Sequence, residues 1–171
     1  ASHVLGLSNK WDSTASLMAL EDFSKHRNST GEILASNAEE MANLIIYRLR
    51  MHTAQILINS AVTEDLGEQS LKFDSLKDHW LISKGLEHHK KTFFVDFGLN
   101  LPVVGLGASA ESYYPEVGKI LSTKMVIPKY FEVANAIGAV AGRVSVKCVG
   151  TITSPADGCF RLHGLNKQID Y

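Results

Sequence analysis

A glycine-containing turn carries the residues that most favour ligand binding, namely Gly105, Gly107 and Ala108. An apolar run at 102–106 leads into the turn, and a helical segment follows it. Glycine has no Cβ, so the backbone can turn tightly and come close to a ligand. N–H groups at the start of a helix attract anions, because they are unpaired and lie at the positive end of the helix dipole. The turn therefore predicts a contact with an anion or a nucleotide edge, and a purely structural turn explains the glycines equally well.

Patterns for catalysis and metal binding are otherwise missing from the sequence. It contains no HExxH motif, no CxxC pair, no GxSxG turn and no glycine-rich P-loop. Glu87, His88 and His89 form a His/acid cluster, but adjacent side chains in an extended segment point apart, which favours a surface turn over a metal site. His52 falls among apolar helix positions, which favours a hydrogen-bonded core histidine over a catalytic one. We assign no catalytic residue and no metal ligand.

Short strands and helices on both sides position the turn. The run at 102–106 suits a strand buried on both faces, and the following helix should begin near 112–115, because proline is tolerated in the first turn of a helix. Residues 124–127 predict a second short strand. Pro128 should open the next helix.

Small residues recur every fourth position in that last helix, at Ala134, Gly138 and Gly142. Glycine inside a helix costs about 0.5–1 kcal/mol relative to alanine, so the stripe predicts that something approaches closely. Tight packing on a sheet is the simpler explanation, and direct contact with a ligand is the alternative. Replacing Gly138 by leucine should then destabilise the fold by overpacking.

A long amphipathic helix is the clearest element of the N-terminal half. Ser36 and Glu39 match a capping box, in which the serine accepts an early helix N–H and the glutamate reaches back. The helix should run to about residue 62, with Gly67 as a stop signal. Its predicted buried stripe is Met41, Ile45, Leu49, His52 and Ile56.

Weaker signals predict the remaining elements. A short helix capped by Asp12 or Ser13 should lie within the first 31 residues, a second short helix near 74–83, and a strand at 91–97.

The C-terminal part predicts a hairpin across the sequence SPADG, with 164–171 frayed. Cys148 and Cys159 should both be reduced, because two cysteines do not make a disulfide framework.

Alternating strands and helices predict an α/β fold. We expect a single domain over 1–171, with 1–31 and 164–171 peripheral, in which helices flank one mixed sheet and the 36–62 helix packs on it. The expected strands of that sheet are 92–97, 102–106, 124–127, 144–152 and 158–163.

The composition of the chain indicates which classes of partner are not expected. The 17 basic and 18 acidic residues give a net charge of −1, so no basic face for nucleic acid is expected. No apolar run approaches the ~20 residues of a membrane helix, and the first residues lack the pattern of a secretory signal. These features predict a cytoplasmic protein that binds neither nucleic acid nor membrane.

The region around the turn resembles the C-terminal part of the hydantoinase A/5-oxoprolinase family. The family's G-x-G-A turn, VIP strand end and VANAxGA helix are matched here by VGLGA at 104–108, VIP at 126–128 and VANAIGAV at 133–140. The strand pair that follows in the family resembles TITSP at 151–155 and FRLH at 160–163. The match covers about 103–163, and the VANAIGA segment is its most specific part. Ser109 departs from the proline often found after the GA pair.

This resemblance implies one half of an actin-like ATPase fold, which is related to ribonuclease H. Members open a cyclic amide after ATP, with magnesium, phosphorylates the amide oxygen. The resemblance gives Gly105, Gly107 and Ala108 a place beside the adenosine. Nothing here matches the acidic phosphate-binding turn, so the chain should be a C-terminal piece of a longer protein and needs an N-terminal half or a partner subunit.

A second interpretation has the same fold but no catalytic activity. The chain is then a non-catalytic subunit or assembly module, with a homo-oligomer as one possible form. A partner segment that carries an acidic phosphate-binding turn would separate the two interpretations.

Overall fold

The computed structural model describes residues 1–10, 12–67, 80–143, 150–163 and 168–170. These residues build a mixed α/β structure, which confirms the predicted class. They form two compact units, Ala1–Asn135 and Ala136–Tyr171. Within the described ranges, no helix is both long enough and apolar enough to cross a membrane.

The described residues of the first unit form helices, short strands and a 3-10 helix. In order they are α1 (Ser13–Ser24), α2 (Ala38–Leu66), α3 (Trp80–Leu86), β1 (His89–Lys90), β2 (Phe94–Val95), β3 (Val103–Val104), α4 (Ala110–Ile120), β4 (Met125–Val126), the 3-10 helix Phe131–Val133 and the start of α5 (Ala134–Ala141). Asp12 caps α1 by accepting the Thr14 N–H at 2.9 Å, as predicted. Part of the predicted 74–83 helix lies outside the described residues.

The capping box of α2 lies one residue later than predicted. Asn37, not Ser36, is the N-cap, and its side chain accepts the N–H of Glu40 at 2.8 Å. The carboxylate of Glu40, not that of Glu39, reaches back to the N–H of Ser36 at 2.7 Å. Asparagine caps a helix as well as serine does, and the Asn37–Glu40 pair has the same spacing. The helix continues unbroken to Leu66 and ends at Gly67, the predicted stop.

The predicted buried stripe of α2 is wrong beyond Ile45, which is half-buried and packs against the cluster that contains Met41. Leu49, His52 and Ile56 are exposed, so the expectation that His52 is a core histidine is also wrong. The side chains that α2 buries are Ala38, Met41, Ala42, Ile46, Ala54 and Ile58.

Two separate hydrophobic clusters explain this shift of the buried face along α2. Its first half packs with Leu20 of α1, whereas Ala54 and Ile58 in its second half pack with α3 and α4. The partners lie on different sides of the helix, so one continuous stripe does not describe its contacts.

A β3–α4–β4 unit surrounds the glycine turn. β3 and β4 are parallel, with Val103 opposite Met125 and Val104 opposite Val126. Helix α4 begins earlier than predicted, so Pro115 lies inside the helix and not in its first turn. Proline has no N–H, so the hydrogen bond that residue 115 would donate four residues back is absent.

Two further predictions about this region are wrong. Segment 102–106 is not buried on both faces, because Val104 and Leu106 are about half exposed. Pro128 precedes a turn and the 3-10 helix, and the α-helix starts only at Ala134.

The single predicted sheet is not present among the described residues. β1 pairs with β2, β3 pairs with β4, and β5, β6 and β7 form a third sheet. The strand predicted at 91–97 is shorter, because residues 91–93 form the turn of an antiparallel β1–β2 hairpin. The strands of the first two sheets have two residues each, shorter than the three or more usual for strands.

The second unit consists of most of α5 followed by β5 (Thr151–Ala156), β6 (Cys159–His163) and β7 (Gln168–Asp170). The predicted hairpin is confirmed, and its turn is Asp157–Gly158, with Gly158 at a φ of 75°. The prediction that the C-terminus is frayed is wrong for 168–170, which pair with β6. Cys159 is a free, exposed thiol, and Cys148 lies outside the described residues.

Helix α5 contradicts the close-approach prediction. None of its residues is buried, and Val140 is 90% exposed. Among the described residues, a Cβ built on Gly138 meets no atom within 4 Å, so none of them causes the overpacking expected for Gly138→Leu. The N–H of Gly142 donates to the carbonyl oxygen of Gly138 at 2.7 Å, so Gly142 contacts its own helix.

Candidate functional site

The candidate turn begins at the end of the parallel β3–β4 ladder. The N–H of Val103 donates to the Lys124 carbonyl at 3.0 Å, and the N–H of Gly105 donates to the Val126 carbonyl at 2.9 Å. Gly105 therefore belongs to the ladder, and its N–H is not available to a ligand.

Gly105 lacks a side chain because the protein's own side chains cover it. A Cβ at this position would lie 2.7 Å from Ile127 Cδ1 and 3.1 Å from Tyr114 Cδ2. The sequence predicted a close approach here, and the approaching groups are an isoleucine and a tyrosine ring.

Glycine at position 107 allows the backbone conformation of the turn. Its φ is 104°, a region that favours glycine, and a Cβ there would meet nothing within 4 Å. Its N–H donates to the carbonyl oxygen of the buried Phe131 at 2.8 Å. The turn is thus tied to the segment after β4, and a second predicted N–H is occupied.

At the helix end of the turn, the N–H groups of Ala108 and Ser109 are unpaired. Neither donates to an acceptor within the part of the chain that the structure describes. Ser109 is the N-cap of α4, but its side chain makes no capping bond to the helix backbone. Helix N-termini leave such N–H groups for water or a ligand. Of the three predicted residues, Ala108 is therefore the one whose N–H remains available. Ser109 was not predicted, because it differs from the proline often found at this position in the family and was given no binding role.

Charges around the turn favour an uncharged ligand edge over a phosphate. Glu111 places a carboxylate in the first turn of α4, where it neutralises the positive end of the helix dipole and repels an anion. Lys10 forms an ion pair with Glu132 and lies 5.7 Å from the Phe131 ring centroid, so its charge is already compensated.

Two tyrosines form the aromatic side of the site. Tyr113 and Tyr114 stack with ring centroids 4.6 Å apart. Burial raises the pKa of the Tyr113 phenol above its ordinary value of 10.0, and the hydrogen bond that its O–H donates to Tyr114 adds to this shift. The Tyr113 phenol therefore stays protonated at neutral pH and contributes packing and a hydrogen bond, not a base.

A His–Asp contact lies apart from the turn, on the β1–β2 hairpin. His88 Nδ1 is 2.6 Å from Asp96 Oδ1, and the two side chains are 33% and 31% exposed. His88 also has a φ of 51°, unusual for a residue with a side chain. The sequence did not indicate this pair, because the contact joins the two ends of a hairpin whose register depends on strand pairing.

Within the described ranges, no group of three or more His, Cys, Asp or Glu side chains lies close enough to hold a metal ion. The site thus offers hydrogen-bond donors at Ala108 and Ser109 beside a neutralised helix end. Compared with known proteins, the chain matches no protein-family model, no curated protein and no solved structure.

Proposed function

We propose that this chain is the C-terminal, nucleotide-side domain of an ATP-dependent cyclic amide hydrolase of the hydantoinase/5-oxoprolinase type. The observation that carries the proposal is the pair of unpaired N–H groups at Ala108 and Ser109, between a parallel strand and a helix N-terminus. Such a position is a common nucleotide contact in α/β folds. The proposal includes one half of an actin-like ATPase fold and a cytoplasmic location.

The residues present fit the neutral edge of a nucleotide. The Ala108 and Ser109 N–H groups can donate to an adenine or ribose acceptor, and the Glu111 carboxylate at the helix end disfavours a phosphate there. Bound ATP with magnesium supplies the phosphoryl group that activates the amide oxygen. This chain's own role is to hold and orient the adenosine end.

Phosphates and metal need a second component. Phosphoryl transfer depends on positioning both together, and the sequence contains no acidic phosphate-binding turn. We therefore propose that an N-terminal half or a partner subunit supplies that turn. The chain alone should neither hydrolyse ATP nor open a cyclic amide.

A titration followed by amide NMR shifts tests the contact. Adenosine and ATP should both shift the amides of 106–110 with a Kd on the order of 1 mM, because one wall of a cleft leaves most of the ligand in water. Inorganic triphosphate should leave these amides unshifted. Absence of shifts over 104–110 with adenosine would contradict the proposal, as would magnesium-dependent ATP turnover by the chain alone.

Gly107→Val supplies the variant for this titration. Valine strongly disfavours a φ of 104°, so the turn changes shape and the adjacent N–H groups are redirected. Adenosine shifts should disappear. Gly31→Val is the matched control, because Gly31 lies in the same unit, has a φ of 85° and has no neighbour within 4 Å of its Cβ position. Equal loss of binding in both variants would indicate unfolding and not a role for the turn.

The exposure of α5 favours a second candidate, a non-catalytic assembly module that forms a homo-oligomer. The helix sequence ANAIGAVA has no charged residue, and none of its side chains is buried. Two copies can therefore pack α5 against α5 without removing a charge from water. Light scattering should then give an oligomer that Val140→Glu returns to a monomer, whereas a monomeric wild-type chain excludes this candidate.

A further inference from the structure

A cleft of about 510 Å³ lies between α2 and α3 in the first unit. This volume is within the range of small-molecule sites. Its floor is apolar and consists of Met51 from α2 with Ile82 and Leu86 from α3. Ile82 and Leu86 are buried, and they belong to the same hydrophobic cluster as Val117 and Leu121. The floor is therefore part of the core and keeps its shape without a ligand.

One wall of the cleft presents two hydrogen-bond donors. Arg48 and His52 line it from α2, four residues apart and thus one helical turn from each other. Both residues are exposed, and neither makes a hydrogen bond or ion pair with another residue that the structure describes. A guanidinium and an imidazole on one helix face can donate to the same small group.

The opposite wall carries one carboxylate, which is paired with a lysine of α3. Glu87 lines the cleft from the end of α3, and its carboxylate forms an ion pair with Lys84 Nζ at 2.7 Å. Ser83 adds a hydroxyl. Among the described lining residues, the Arg48 guanidinium is thus the charged group without an ion-pair partner.

We propose that this cleft binds a small monocarboxylate with an apolar body. Arg48 holds the carboxylate through two parallel N–H···O bonds, a geometry that suits a planar guanidinium. His52 donates a further hydrogen bond from its ring. The apolar body of the ligand lies on Met51, Ile82 and Leu86, where it leaves water. The inference goes beyond the proposed nucleotide contact, because it uses different helices and different residues.

The probe is 3-phenylpropionate, with 3-phenylpropanamide as a matched compound that has the same shape and no charge. Titration into the full chain should shift the amides of 47–55 and 82–87, with a Kd on the order of 1 mM for the acid. The amide should bind at least tenfold more weakly, because it cannot accept two charge-assisted bonds. Equal affinity for the two compounds would overturn the proposal.

Arg48→Met retains an unbranched apolar stem and removes the charge. Affinity for the acid should fall at least tenfold, and affinity for the amide should change little. Arg143→Gln is the control, because it removes an exposed arginine in the second unit and should leave binding unchanged. An unchanged Kd in Arg48→Met would refute the carboxylate contact.

Ser83→Phe tests the cleft itself. Ser83 is exposed and lines the cleft, so a phenyl ring can fill it without entering the core. Binding of both probes should be lost while the remaining amide spectrum stays folded, whereas retained binding would show that the probe lies elsewhere. Adenosine shifts are expected at 106–110, so either proposal can fail while the other stands.

Discussion

Gly118→Ala is the sharpest test of how closely α4 packs on β4. Gly118 is buried in α4, and a Cβ there would lie 2.9 Å from Met125 Cβ and 3.2 Å from the Thr123 carbonyl oxygen. Carbon atoms in contact prefer about 3.5–4.0 Å. One neighbour is a Cβ and the other is a backbone oxygen, so neither can move away by a side-chain rotation. Space for the new methyl group therefore requires the β4 backbone to move by roughly 0.5–1 Å.

The free energy of unfolding contains two opposing terms for this change. Overpacking costs about 1–3 kcal/mol. Alanine regains about 0.5–1 kcal/mol of helix propensity. The net expectation is a destabilisation of about 1 kcal/mol, and Gly118→Val should cost more, about 3 kcal/mol.

Urea denaturation followed by circular dichroism measures the effect. Gly138→Ala is the matched control, because Gly138 is also a helical glycine but has open space at its Cβ position. Its midpoint should equal or exceed that of the wild type, because only the propensity gain applies. A Gly118→Ala variant that gains as much stability as Gly138→Ala would refute the close packing of α4 on β4.

Three further changes have expected outcomes. Leu121→Ala removes a fully buried side chain from the cluster between α2 and α4 and should destabilise by about 2–5 kcal/mol, measured by urea denaturation. The Ser36 N–H holds the pKa of the Glu40 carboxyl below its ordinary value of 4.5, so this contact stabilises the fold above pH 4.5 and is lost as the pH falls through the folded-state pKa. Glu40→Gln should flatten that part of the stability–pH curve, and an unchanged curve would contradict the capping role. Asp96→Asn should cost about 0.5–1 kcal/mol, because the His88 pair is partly exposed, and a loss above that range would show that the hairpin depends on it.

Local signals determined several features of this protein. Caps and stop residues act over a few residues, so the Asp12 cap, the unbroken α2 and its end at Gly67 followed from residue types alone. The order of strand, turn, helix and strand around Gly107 was also predictable, because apolar runs and glycine positions mark it. These features need no knowledge of what lies across the core.

Burial and pairing depended on partners distant in the sequence. His52 is exposed because α2 packs against α1 in one half and against α3 and α4 in the other, and periodicity within one helix does not encode where the partners lie. The exposure of β3 and α5 likewise depends on contacts with other segments, which the apolar pattern of each element does not indicate.

At the candidate site, too, the sequence indicated some features and only the tertiary structure decided others. Its glycines were recognisable from the sequence, but hydrogen bonds from Gly105 and Gly107 to Val126 and Phe131 occupy the expected donors. Only the tertiary structure shows that N–H groups remain available at Ala108 and Ser109, because an N–H is free only where no carbonyl of another segment accepts from it.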